Sequence, residues 1–205
     1  CNMVDPPIDP SYLDGIIVTH NHIDHCNDIN IMIDAMTAGG FNRGGALFAP
    51  KSCLEGENRI LLNYLRPFLD TVVTLAPSQE LRFSTYIPHD HGPEVFGITC
   101  LVGECKVEFL VDTKFFPELP ADYAGADLLI INVTFLDRPP HPRILHLSTH
   151  DVKDIVREAA PRRVILTHFG TSMLEAGPHS VAARLTDELG VEIVAADDGM
   201  VVPVP

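Results

Sequence analysis

The 205-residue sequence predicts an α/β (α+β) fold in which two sheets pack face to face with helices on the outside. Three observations carry this reading. Strand-like runs come first in clusters and then alternate with helical periodicities, turn formers bound most runs, and no repeat period or low-complexity tract breaks the order. Pattern alone leaves a single open sheet as the alternative. The length suits one domain over residues 1–205.

The elements follow in chain order. Asp14 to Thr19 is a short β-branched run between turn formers and a polar cluster, which predicts a buried strand. Ile29, Met32, Ile33 and Met36 recur at i, i+3, i+4 and i+7, with Asn27 or Asp28 as cap and Gly39-Gly40 as stop; that spacing predicts a helix. Ala46 to Ala49 reads as a strand, Asn58 to Leu65 as a short helix ended before Pro67, and Thr71 to Leu75 as a strand. Leu81 to Ile87, Val95 to Val102 and Lys106 to Val111 are strand-like, the last two joined as a hairpin at Gly103-Glu104. Leu128 to Val133 is a buried strand. Leu136 to Arg143 carries Pro139, Pro140 and Pro142, too much proline to continue either element, and is a candidate rim for a substrate. Val152, Ile155, Val156 and Ala159 have helical spacing behind a Ser148 or Thr149 cap, and Pro161 closes that helix. Arg163 to Thr167 is a strand and Ser180 to Leu189 a helix stopped by Gly190. Val191 to Ala195 and Met200 to Val204 are expected to pair around Asp197-Asp198-Gly199.

Composition narrows the function classes. With 46% apolar and 20% charged residues the chain can build a core and is not disordered. Its formal charge of −14 and the lack of any Lys/Arg-rich run disfavour extended nucleic acid and anionic membrane as partners. No apolar stretch is long enough to span a bilayer. Cys1 to Pro7 lacks the basic and apolar regions of a signal peptide, so the expected location is the cytoplasm. Five cysteines without paired spacing read as reduced thiols. A homodimeric state is left open by these residues.

The ten histidines are the unusual feature. Thr19-His20-Asn21-His22-Ile23-Asp24-His25 follows a predicted buried strand directly. In an extended loop residues i and i+2 project to one side, so His20 and His22 can grip one cation while Asp24 and His25, past the bend, reach a second. This H-x-H-x-D-H motif resembles that of the metallo-β-lactamase fold hydrolases. The likeness continues in order: His91 lies six residues before Gly97, Leu110-Val111-Asp112-Thr113 is similar to the family's strand-end G-D-T, and Leu166-Thr167-His168-Phe169-Gly170 to its strand-end L-T-H.

The resemblance implies an αββα four-layer sandwich. Family members usually carry an initial pair of strands ahead of the first motif. The sequence shows none there, so those strands are expected to be missing, whether trimmed or absent. It further implies that His20, His22 and His91 hold one metal, that Asp24, His25 and His168 hold another, and that Asp112 bridges. Two divalent ions are therefore expected, zinc foremost, with manganese or iron open on ligand type. Diiron redox members carry a glutamate where this chain has His22, so the resemblance implies hydrolysis.

His146-Leu147-Ser148-Thr149 resembles the H-S-T segment of the tRNase Z and related phosphodiesterase branch, and lies 22 residues before His168 as in that branch. There the histidine donates a proton to the leaving oxygen, which suits an imidazole of pKa about 6.5. His146 and Asp24 are accordingly the expected catalytic residues. His89, His141, His150 and His179 read mainly as surface or supporting residues. The basic Gly/Pro-rich arm of tRNase Z and the helical C-terminal domain of glyoxalase II are not visible in the sequence. The leading expectation is a dinuclear hydrolase that cleaves a phosphodiester of a small or short substrate through a metal-activated hydroxide. The alternatives are a tRNA 3′-processing endonuclease, a thioester, lactone or lactam hydrolase, and a metal-bound scaffold without turnover.

Overall fold

The computed structural model describes residues 9–77, 83–139 and 141–203, with side chains of 83–88 left aside. Contacts divide the chain into two units, Cys1–Ala76 with Pro93–Val95, and Pro77–Gly92 with Phe96–Pro205. The chain is mixed α/β, with one sheet and its helices in each unit.

The first unit is built on three parallel strands, β1 (Gly15–Ile17), β2 (Ala46–Pro50) and β3 (Thr71–Leu75), in that order. Between β1 and β2 lie a single helical turn, α1 (Ile23–Cys26), and the expected helix α2 (Ile29–Met36). The periodic residues Ile29, Ile33 and Met36 are buried, and Ile29 and Ile33 pack with Leu47, Ala49, Leu61, Leu65 and Leu69. A further turn, α3 (Lys51–Leu54), follows β2. The helix expected over Asn58 to Leu65 does not form. Leu61 and Leu65 are buried as the pattern requires, but long-range bonds hold the backbone instead: Asn30 Nδ2 donates to Ile60 O at 2.9 Å, Leu62 N donates to Asn30 Oδ1 at 3.1 Å, and Ile60 N donates to Cys53 O at 2.8 Å. The helical structure there is a 3-10 turn at Arg66–Phe68, where Pro67 sits at the N-terminal position that needs no donor.

The second unit holds a six-stranded sheet in sequential order: β4 (Phe83–Pro88), β5 (Phe96–Val102), β6 (Cys105–Leu110), β7 (Leu128–Asn132), β8 (Arg163–Thr167) and β9 (Glu192–Ala195). The first three are antiparallel and β6 to β9 run parallel. Leu81, where the first of these strands was expected to start, lies outside the described residues. The parallel strands are connected through a turn α4 (Leu119–Asp122), helix α5 (Thr149–Ala159), and α6 (Thr171–Ala176) with α7 (Pro178–Leu189). Alternation serves both faces: Leu129, Ile131, Val164, Leu166 and Ile193 join Ile155, Val156, Val181 and Leu185 in one core, while Val107, Leu128 and Ile165 form a second cluster on the other side.

The expected pairing of Met200 to Val204 with Val191 to Ala195 is not found. β9 pairs with β8, residues 200–203 are not strand, and Val202 packs against the second cluster; Val204 lies outside the described residues. Pro203 has no amide hydrogen to give a ladder, which weakens that segment as a strand. Among the described residues no helix is long and apolar enough to cross a membrane.

Candidate metal centre

In the first unit β1 ends at Ile17, and Val18 N still bonds to Phe48 O at 2.8 Å, so the chain is tied to the sheet up to the start of the histidine segment. The expectation of an extended loop holds only through His22, which has φ −68° and ψ 144°. From Ile23 the chain winds into α1, with His25 N and Cys26 N both donating to His22 O. The fold thereby gathers the four expected residues. His20 Nε2 and His22 Nδ1 stand 3.2 Å apart, the His20 and His25 rings 4.1 Å between centroids, and His25 Nε2 lies 3.3 Å from Asp24 Oδ2. Thr19 Oγ1 is 3.0 Å from His20 Nδ1 and holds that ring at its other nitrogen.

In the second unit the relevant residues sit at the carboxyl ends of parallel strands, where α/β sheets present ligand-binding loops. Asp112 follows β6, Asn132 ends β7, and His168 follows β8 with a left-handed φ of +62°, which sends the chain sharply away from the strand. Asp112 is the hub. Its Oδ2 lies 3.4 Å from His91 Nε2, 3.5 Å from His168 Nε2 and 3.9 Å from His146 Nδ1. Its Oδ1 accepts from Asn132 Nδ2 at 2.8 Å, which fixes the rotation of the carboxylate. One ligand atom from each of His91, Asp112 and His146 falls within 4.8 Å of the others.

His146 reaches this hub through a tertiary connection. Thr134 N and Phe135 N both donate to Leu147 O, and Thr149 N donates to Phe135 O, so the His146–Ser148 segment runs alongside the exit of β7. Ser148 then caps α5 reciprocally with Asp151. Leu145, beside His146, also serves His91. Its carbonyl is 2.7 Å from His91 Nδ1, and because a carbonyl only accepts, Nδ1 carries the hydrogen and Nε2 keeps its lone pair.

The donor set fits a divalent cation. Two ligand atoms on a tetrahedral zinc with bonds of about 2.0–2.1 Å stand roughly 3.3 Å apart. Within the first unit the separations are 3.2 and 3.3 Å, and within the second 3.4 and 3.5 Å.

Of the remaining histidines, His89 is a supporting residue and not a surface one. It is buried, and Nε2 shares a 2.7 Å hydrogen bond with the Tyr123 hydroxyl. Burial pushes its pKa down to about 4, against smaller opposing contributions from Asp112. The pair also accounts for Gly97: a Cβ there would lie 1.9 Å from Tyr123 Oη and 3.1 Å from His89 Nε2. His141, His150 and His179 are exposed, paired respectively with Arg143 N, Asp137 and Asp197. Asn132, Thr134 and Tyr123 escaped the sequence reading. The one signal for the first two is a pair of polar residues at i and i+2 closing the apolar run Leu128 to Ile131.

Residues 3–169 match the family described as the beta-lactamase superfamily domain. The protein MJ1374 of Methanocaldococcus jannaschii is 28% identical over 206 residues, which are 94% of this chain and 75% of that one. Three solved structures show the same metallo-β-lactamase fold. YhfI from Bacillus subtilis has a TM-score of 0.77 at 19% identity, over 95% of this chain and 78% of its own. A diphosphatase from the PhnP family has a TM-score of 0.61 at 21% identity, over 91% and 69%. Human tRNase Z, short form, has a TM-score of 0.66 at 16% identity, over 97% and 82%.

Proposed function

The chain belongs to the beta-lactamase superfamily domain family, with the fold of metal-dependent hydrolases, and from that premise we propose that it is a dinuclear phosphodiesterase acting on a small or short substrate. The observation that carries the choice of reaction is His146: Nδ1 is held 3.2 Å from Thr134 Oγ1 and 3.9 Å from Asp112 Oδ2. A proton donor beside a ligand carboxylate is what the departure of a poor leaving group from phosphorus requires, and what a carbonyl substrate with a stable leaving group needs least.

In this reading His20, His22 and His91 hold one ion, Asp24, His25 and His168 the other, and Asp112 is shared, all within one hydrolase domain. When bound, the two ions, zinc by ligand type, polarise a phosphoryl oxygen and lower the pKa of water so that hydroxide is available near neutral pH. Asn132 keeps Oδ2 of Asp112 turned toward the histidines, and the Leu145 carbonyl keeps the His91 lone pair on Nε2. Asp24 anchors His25 and serves with it. His146 gives its proton to the departing oxygen. The substrate's phosphate supplies the negative charge that such a cationic centre attracts, and a cytoplasmic setting keeps the four described thiols reduced.

The test is a panel on metal-replete protein: bis-p-nitrophenyl phosphate beside a thioester, a lactone and a lactam, with elemental analysis of the same preparation. Two equivalents of metal and turnover confined to the phosphodiester are expected. Preference for the thioester or lactone would replace this reading, and one equivalent would remove the bridging role of Asp112.

A further inference from the structure

Thr134 follows β7 by two residues and faces two histidines that are far apart in sequence. Its Oγ1 stands 3.2 Å from His146 Nδ1 and 3.1 Å from His168 Nδ1. The two rings stack at 5.6 Å with only 23° between their planes, as two rings converging on one oxygen should. The backbone and methyl of Thr134 are closely backed by Gly170: Gly170 N donates to Thr134 O at 3.1 Å, and a Cβ at Gly170 would lie 2.6 Å from that oxygen and 2.9 Å from Thr134 Cγ2. Thr134 therefore has little room to move away from either ring.

The protonation pattern follows from what surrounds each nitrogen. His168 turns Nε2 toward Asp112 Oδ2, at 3.5 Å, so Nε2 is its ligand atom and Nδ1 carries the hydrogen. His146 turns Nδ1 toward the hydroxyl and toward the same carboxylate oxygen, at 3.9 Å. A lone pair facing a carboxylate is repelled, whereas an N–H facing it is attracted, so Nδ1 of His146 carries a hydrogen as well. A hydroxyl oxygen has two lone pairs and can accept both.

We propose that Thr134 is a positioning residue whose Oγ1 accepts from Nδ1–H of both His146 and His168, locking both rings in the Nδ1–H tautomer. Each Nε2 is then committed, in His168 as the ligand atom and in His146 as the atom through which the proton moves. In the acid form of His146 both nitrogens carry hydrogens, and loss of the Nε2 proton to the leaving oxygen returns the neutral Nδ1–H ring without any change at Thr134. The role of His146 rests on the reaction proposed above; the tautomer does not.

Nitrogen-15 shifts of the imidazoles in zinc-loaded protein, recorded above the imidazole titration range, test this directly. His146 is expected as Nδ1–H, against the Nε2–H preference of an unconstrained histidine. Thr134→Val, which keeps the shape and removes the hydroxyl, should shift His146 toward Nε2–H, while His168 stays Nδ1–H because its Nε2 is also committed as the ligand atom in the zinc-loaded protein. Thr134→Ser should keep the wild-type pattern and shows whether a failure of the Val variant is merely one of folding. Turnover of phosphodiesters with poor leaving groups should fall about 10–100-fold in Thr134→Val through kcat, with KM little changed, and recover in Thr134→Ser. A wild-type His146 in the Nε2–H form, or shifts unaltered by Thr134→Val, would overturn the proposal. If His146→Ala slows no phosphodiester, the reaction reading fails while the ring shifts still decide the tautomer.

Discussion

In the proposed reaction Asp112 holds the ions and His146 gives the proton. Asp112 is nearly fully buried, and one of its oxygens is committed to Asn132. Asn132→Ala leaves every expected ligand in place but frees the carboxylate to rotate, so metal affinity should fall about 10–100-fold, read by competition against a chelator. An affinity equal to wild type would mean that the Asn132 contact does not orient Asp112. His146→Ala should keep both metals and slow phosphodiester turnover about 10²–10⁴-fold, with a smaller loss for p-nitrophenolate than for an alkoxide leaving group. Equal losses for both would make His146 an orienting residue rather than the acid.

The strand β5 and the turn α4 meet at Gly97 and Tyr123, and this contact explains why a glycine stands at that position. Gly97→Ala drives a methyl into the Tyr123 hydroxyl and breaks the bond to His89, which should destabilise the protein by about 1–3 kcal/mol in denaturant unfolding. Tyr123→Phe removes the oxygen that clashes, so Gly97→Ala should cost less in that background. An unchanged cost would place the strain in the backbone of β5 instead. Periodicity identified α2, α5 and α7 because each buries a stripe that the sequence displays. It could not identify α1, α3, α4 and α6, each at most six residues long, which show too few turns for a period.

At the scale of the whole chain, charge bears on which partners are expected. A formal −14 without a basic run leaves few cations to neutralise phosphates along an extended RNA, and two divalent ions would offset only a small part of it. Precursor tRNA is therefore expected to bind weakly at physiological salt, with a shallow salt dependence, in an anisotropy titration. Submicromolar affinity with a steep salt slope would instead favour tRNA 3′ processing, the activity that the H-S-T resemblance brings closest.

His20, His22, Asp24 and His25 stood out in the sequence because they cluster just past a run whose β pattern can be read, whereas Asp112 and His168 were marked only by the resemblance of their segments to the family's strand-end motifs. The helix stripes and the continuous apolar run Leu128 to Ile131 were legible because each is a local pattern. What the chain could not announce is which side chains meet across long separations. Thr134 touches residues 12 and 34 positions away, and His91 is oriented by a carbonyl 54 positions away. Asn58 to Leu65 has a helical stripe yet follows the bonds from Asn30 and Cys53, and His89 looked peripheral until Tyr123 covered it. Local periodicity measures only what a segment can bury. Which hydrogen-bond partner wins is decided when the folded chain brings the competitors within reach.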